Sequence, residues 1–239
     1  MQIRFAGTLL LCALAVAACS DDDSDTVIGP PPTTGADSAQ IRFVNAAATA
    51  DSVDVMVDTT VVASSVFFPD SAACVKVPTG SHSVTILSTG TTDTLATFTP
   101  SLTANQSSTV VLTGDANGFT PQIFPDTLTP ADSGRARLRV INAAPSLAAA
   151  DVFVTLPGDT LPATPTQANL TFGTASPFLD VPSGDTEVRF TDAGTLNARL
   201  DVNPTPAFTL DEQGSQTLIA VEAPGGGEPL GFFNLGGCQ

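Results

Sequence analysis

The chain has 239 residues and a formal net charge of −16, from eight Lys plus Arg against 24 Asp plus Glu. A field of that sign repels phosphate backbones and argues against nucleic acid as a partner. Hydrophobic residues make up 42% and charged residues 13%, so a packed core is available and the surface must be built largely from Ser, Thr, Asn and Gln. Gly and Pro, 19 of each and spread throughout, disfavour long helices and favour many short strands joined by turns.

Residues 1–18 have the layout of a secretory signal. Arg4 precedes the apolar run Phe5 to Val16, which is too short for a bilayer span of roughly 20 residues and suits the h-region of a removable peptide. Val16-Ala17-Ala18-Cys19 resembles the bacterial lipobox. The resemblance implies cleavage before Cys19, lipidation of its thiol and acylation of its new amino group. Two acyl anchors attach a protein to a membrane stably where one is marginal. An ordinary signal peptide with an incidental Cys is the plainer alternative. Residues 19–38 then read as a tether, acidic from Ser20 to Asp25 and extended around Pro30-Pro31-Pro32. Ser20 stands where an Asp would favour retention at the inner membrane, so an outer-membrane location in the cell envelope is expected.

An internal repeat organises the remainder. Ile41-Arg-Phe-Val-Asn-Ala-Ala47 recurs as Leu138-Arg-Val-Ile-Asn-Ala-Ala144, and Val53-Asp-Val-Met-Val57 recurs as Ala150-Asp-Val-Phe-Val154. Val75-Lys-Val-Pro-Thr-Gly80 returns as Leu179-Asp-Val-Pro-Ser-Gly184, and Ser108-Thr-Val-Val-Leu112 as Gln216-Thr-Leu-Ile-Ala220. Motif order is kept while the spacing grows, as insertions in loops would produce. A unit of about 100 residues exceeds the roughly 20–50 of a solenoid repeat and matches one sandwich domain.

Within each copy the period is two. Val53, Val55 and Val57 share one face and Asp54 and Met56 the other; Ala136, Leu138 and Val140 oppose Arg135, Arg137 and Arg139. Comparable runs lie at His82–Leu87, Ser107–Thr113, Glu187–Phe190 and Gln216–Val221, separated by turns such as Pro78-Thr-Gly80, Asp115-Ala-Asn-Gly118 and Pro182-Ser-Gly184. The expected fold is all-β, two tandem Ig-like antiparallel β-sandwich domains spanning residues 39–130 and 131–239, each able to fold alone. Each copy should have seven or eight strands.

Leu138 to Pro145, Ala150-Asp-Val-Phe-Val154, Phe172-Gly173 and Val181-Pro-Ser-Gly184 resemble the bacterial domain of unknown function 4397. The likeness spans Ala39 to Leu235 as two copies and is stronger in the second. The first copy departs with Ala48 for Pro145, Met56 for Phe153 and Cys74 for Phe178. The resemblance implies an extracytoplasmic Ig-like sandwich without known catalytic residues, and supplies no activity to inherit.

The residues themselves offer little chemistry. His82 is the only histidine, and Ser81 and Ser83 point to the opposite face of its strand, so no local Ser–His pair forms; a surface strand histidine is expected ahead of a long-range triad. One His and two Cys fall short of a structural zinc site. Gly225-Gly-Gly227 reads as a hairpin connection, not a phosphate loop. Without Trp or Tyr, the chain lacks the side chains on which sugar rings usually stack. Asp115-Ala-Asn-Gly118 lacks the further carboxylates of a calcium loop, and Asp51, Asp54 and Asp58 read as solvated charges. No catalytic residue, cofactor or metal ligand is assigned, and the chain is not expected to be an enzyme.

Three features stay open. The stripe Arg135, Arg137, Arg139 reads first as a solvent face, and alternatively as a docking surface for acidic loops of the first domain or a surface polyanion. Met56 and Phe153 point outward, either under a neighbouring loop or on an interaction patch. Cys74 and Cys238 are the thiols left after export and lipidation; they form one disulfide, remain free, or bridge two chains. The favoured function is a non-catalytic envelope lipoprotein held to the membrane by the lipid on Cys19, with a structural, adhesion or interaction role toward another envelope protein or a surface polymer. The alternative is a lipoprotein binding a small molecule, glycan or calcium between its domains.

Overall fold

The computed structural model describes residues 37–126, 129–202 and 208–238. Cys19, the signal segment and all but the last two residues of the tether lie outside the described residues. In the first half the strands are β1 (Ser38–Asn45), β2 (Ser52–Val57), β3 (Thr60–Phe67), β4 (Asp70–Ser71), β5 (Val75–Pro78) and β6 (Gly80–Ser81). They are followed by β7 (Val84–Ser88), β8 (Thr94–Phe98), β9 (Ser101–Leu102), β10 (Ser107–Asp115) and β11 (Gly118–Pro125). The second half contains β12 (Arg135–Asn142), β13 (Ala149–Thr155), β14 (Gln167–Thr171), β15 (Leu179–Pro182) and β16 (Gly184–Asp192). It closes with β17 (Ala198–Val202), β18 (Phe208–Leu210), β19 (Ser215–Val221) and β20 (Gly231–Gly236).

The described residues form an all-β sandwich architecture without helices. One sheet of the first half runs β11-β10-β1 with β4 and β5 along the far edge of β1; the other runs β3-β2-β7-β8. The same orders return in the second half as β20-β19-β12-β15 and β14-β13-β16-β17. Most pairs are antiparallel, as the alternating patterns predict. One pair in each half departs: β1 runs parallel to β10, and β12 parallel to β19. A parallel pair needs a long crossover, and here the strands lying between the partners in sequence supply it by building the other sheet.

Each half has its own core. Ile41, Phe43, Val53, Val55, Val84, Ile86, Val110 and Leu112 fill the first; Leu138, Val140, Val152, Val188, Phe190, Leu200, Leu218 and Ala220 fill the second. Alternation along β1, β10, β12 and β19 sends intervening residues to the opposite sheet face. Those faces are apolar too. Val44, Ala46 and Val111 meet Ile141, Ala143, Ile219, Val221 and Leu235 in a third core between the halves. These four strands are therefore buried on both sides, which explains their nearly unbroken apolar runs.

Phe153 is outward-facing as expected but only 1% exposed. Its cross-strand neighbour is Arg189. The loop joining β13 to β14 folds back onto this face: Gly158 N donates to Glu187 Oε2 at 2.7 Å, and Arg189 Nη2 donates to the Asp159 carbonyl at 2.7 Å. The insertion that lengthens the second copy thus becomes a cover. The first half has a tight turn at the equivalent place, and Met56 stays half-buried.

Candidate functional site

The polar residues that make the repeat conspicuous serve the fold. Asn45 ends β1, and its Nδ2 donates to the carbonyls of Ala50 at 2.7 Å and Val66 at 3.2 Å while Oδ1 accepts from Ala47 N. Asn142 makes the same three bonds with Leu147, Leu170 and Ala144. Both amides are fully buried, and each ties two groups of the following loop to a carbonyl of the neighbouring strand, β3 or β14.

The two aspartates of the next motif also match. Asp54 accepts from Ser65 N, Thr89 Oγ1 and Gly90 N; Asp151 accepts from Asn169 N and Gly194 N. Ser65 and Asn169 both have φ of 51°, and Gly90 and Gly194 have φ of 73° and 77°. The carboxylates hold left-handed turns in place. The hydrogen bond from Ser65, ahead of the cost of burial, keeps the Asp54 carboxyl below the usual range. Asp54 is thus a loop anchor and not the solvated charge its place in the strand suggests.

The junction between the halves gathers the chain's densest chemistry. Arg42 and Arg139 occupy equivalent places on β1 and β12 and face each other's half. Arg42 donates to Thr109 Oγ1 of its own half at 3.2 Å and to the Gly236 carbonyl of the other at 2.6 Å. Arg139 donates to its own Thr217 Oγ1 at 3.1 Å and to the Pro125 carbonyl across the junction at 3.0 Å. Contacts that reciprocate in this way are those of an isologous interface, here formed inside one chain.

The reciprocity breaks where the copies differ in sequence. Arg139 Nη2 reaches Asp126 Oδ1 at 2.6 Å, with both side chains at most 4% exposed, and its guanidinium lies 4.8 Å from the centre of the Phe178 ring. Thr109 Oγ1 donates to the same carboxylate at 3.0 Å. At the other end of the junction Cys74 replaces Phe178 and is disulfide-bonded to Cys238, with Cα atoms 5.8 Å apart. Burial lowers the pKa of both guanidiniums, with Asp126 opposing the shift. Reading the arginine stripe as a solvent face is therefore corrected at Arg139, which docks against the acidic end of the first half. Arg135 is half-buried and pairs with Asp180 at 3.2 Å.

Gly225 to Gly227 have positive φ throughout and fasten the same junction. Gly225 N donates to the Ala48 carbonyl at 2.9 Å, and Gly227 N to Glu222 Oε2 at 2.8 Å. Their role is a fixed crossing contact rather than a loose hairpin.

Three recesses accompany these elements. One of about 280 Å³ opens on the junction between Phe124, Arg139 and Phe178. Two of about 320 and 340 Å³ flank Lys76, one reaching Cys238 and the other His82 and Asp58. His82 Nδ1 lies 2.8 Å from Asp58 Oδ2 and Nε2 lies 2.8 Å from the Pro78 carbonyl oxygen. The strand expected from His82 begins at Val84, so the histidine sits in a break between β6 and β7. Among the described residues no group of three or more His, Cys, Asp or Glu could hold a metal ion, and no helix is long and apolar enough to cross a membrane.

A domain of unknown function, DUF4397, is found at residues 39–153. The match runs from β1 to β13 and so passes through the junction. No curated protein matches the chain. Among solved structures the chain is similar to the Bacillus anthracis TIE protein, at 12% identity and a TM-score of 0.25, over 78% of this chain and 34% of that one. It is also similar to CBMbc of family CBM26 from Eubacterium rectale Amy13K, solved in complex with maltoheptaose. That likeness has 10% identity and a TM-score of 0.24, over 82% of this chain and 96% of that one. The chain spans about a third of the TIE protein's length. At these TM-scores neither likeness bears on function.

Proposed function

We propose that the protein is a non-catalytic lipoprotein of the bacterial cell envelope, in which two tandem Ig-like copies of the domain form one rigid module carried on a lipid-anchored tether. The junction carries the reading. Its apolar core, reciprocal arginines, buried ion pair and disulfide fix the two halves against each other, which suits a spacer or interaction element better than a pair of jaws closing on substrate. The polar motifs shared by the copies support it, because their side chains are committed to holding loops. The tether and the lipobox supply the attachment, with the lipid on Cys19 as the membrane contact and another envelope protein or a surface polymer as the partner. Cys19→Ala should move the protein from the detergent to the aqueous phase in Triton X-114 partitioning. Unchanged partitioning, or wild-type protein without acyl mass, would refute the anchor.

A second reading rests on the recess at the junction. Phe124 and Phe178 flank the Arg139 guanidinium there, and an apolar recess between domains is a common place for a small ligand. A ligand that binds the native state raises its melting temperature. Thermal shift against small aromatic acids, glycans and calcium tests this reading, which fails if none raises Tm and Phe178→Ala leaves the responses alike.

A further inference from the structure

His82 stands where the two halves part company. In the second half Gly184–Asp192 is one continuous strand, and the equivalent residue, Thr186, donates to the Gly184 carbonyl at 3.1 Å. In the first half that strand is broken, and the imidazole bridges the gap between the β2–β3 turn and the β5–β6 corner. Its two neighbours are both acceptors. A carbonyl oxygen cannot donate, and the Asp58 carboxyl is held ionised by the His82 contact and by Ser83 N, which donates to Oδ1 at 3.0 Å. A neutral imidazole has one N–H and one lone pair. Whichever nitrogen lost its proton would aim that lone pair at an oxygen 2.8 Å away. Only the imidazolium satisfies both contacts.

We propose that His82 is a proton-operated clip: doubly protonated, it ties the β5–β6 corner to the β2–β3 turn and forms one wall of the recess beside Lys76, and on losing a proton it lets go of the Pro78 carbonyl, leaving the corner on its backbone bonds, among them Thr79 N to the Asp37 carbonyl at 3.0 Å. The neutral form keeps Nδ1–H on the charged Asp58 and gives up the Pro78 carbonyl, the weaker acceptor. Asp58 itself stays on the Ser83 side, since Asp58 N donates to the Ser83 carbonyl at 2.7 Å. The charged groups around the clip are few. Asp58 comes from the β2–β3 turn and Lys76 from β5; Val57, Thr59, Thr60, Val62, Val77 and Pro78 complete the recess without charge. The hydrogen bond to Asp58 is the main cause that raises the His82 pKa, with burial opposing it and Pro78 assisting. The sign follows from linkage: a raised folded-state pKa contributes stability that is complete below the ordinary value near 6.5. That stability is lost as the pH climbs through the folded value. The recess therefore keeps its His82 wall below the ordinary value and loses that restraint as the pH climbs through the folded one.

Because the chain has one histidine, NMR of the purified wild-type chain reads the clip without assignment ambiguity. Below the ordinary value near 6.5 both imidazole nitrogens should carry protons, with a single titration lying above that value. The Pro78 carbonyl carbon, which accepts from Nε2, should change its chemical shift across that titration as it loses the imidazole N–H. Asp58→Asn keeps an acceptor but removes the charge, and should move the titration down. An imidazole that titrates at or below the ordinary value, or a Pro78 carbonyl carbon shift indifferent to the titration, would overturn the clip. Neither of these readouts depends on the variant folding.

Discussion

Replacing Arg139 by Met removes a cation from the centre of the junction while keeping most of its length and apolar stem. Asp126 would keep its bond from Thr109 Oγ1 and lose the guanidinium 2.6 Å away. The Pro125 carbonyl and Thr217 Oγ1 would lose their donor. Both charged side chains are almost wholly buried, so little water can take the cation's place, and breaking such a pair from one side costs about 3–5 kcal/mol. For a domain of this size each kcal/mol lowers Tm by about 2–4 °C, giving a fall of roughly 6–20 °C. Salt should change the cost little, since buried pairs are poorly screened. The chain has no Trp or Tyr, so far-UV circular dichroism under urea and heat is the suitable probe. The double variant Arg139→Met with Asp126→Ala should recover part of the loss, because it strands no carboxylate, while Arg42 gives up the opposing charge of Asp126. A single variant within about 1 kcal/mol of wild type would refute the reasoning; it would mean that water reaches Asp126 and the junction is not closed.

Asn45→Ala and Asn142→Ala should each cost at least about 2 kcal/mol in urea unfolding, since each removes three hydrogen bonds made by a fully buried amide; near-neutral substitutions would show the loops satisfied by solvent. Reducing Cys74–Cys238, which closes a loop of 164 residues, should lower stability by up to about 5 kcal/mol on the chain-entropy argument, read as Tm with and without reductant; an unchanged Tm would mean that the junction already holds the tail. Cutting the chain between the halves and reducing it should leave them associated in size-exclusion chromatography, because each alone exposes Val44 and Val111 or Ile141 and Ile219. Two well-behaved monomers would show the third core to be dispensable, as the expectation of independently folding domains has it.

The all-β class, the repeat and the inner cores follow from the order of the amino acids. Alternation along β2 or β7 names the buried face directly, because one side of each strand meets a core and the other meets solvent. Asp54 and Asp151, and Asn45 and Asn142, were visible as repeated letters, but their roles were not. A carboxylate that anchors a turn and one that is merely solvated look alike until the turn's N–H groups converge on it. The arginine stripe misled for a related reason. On β12 the alternation of Arg with apolar residues has the pattern of a half-exposed strand, and only the packing of one half's outer sheet face on the other's buries Arg139. The runs Val110-Val111-Leu112 and Leu218-Ile219-Ala220-Val221 carried the missing signal, since a strand apolar on both faces needs a neighbour on both. Which neighbour it meets is not encoded in any local period. It follows from how two copies of one surface fit each other, and that fit placed Arg42 beside Gly236, Arg139 beside Asp126, and Cys74 within reach of Cys238.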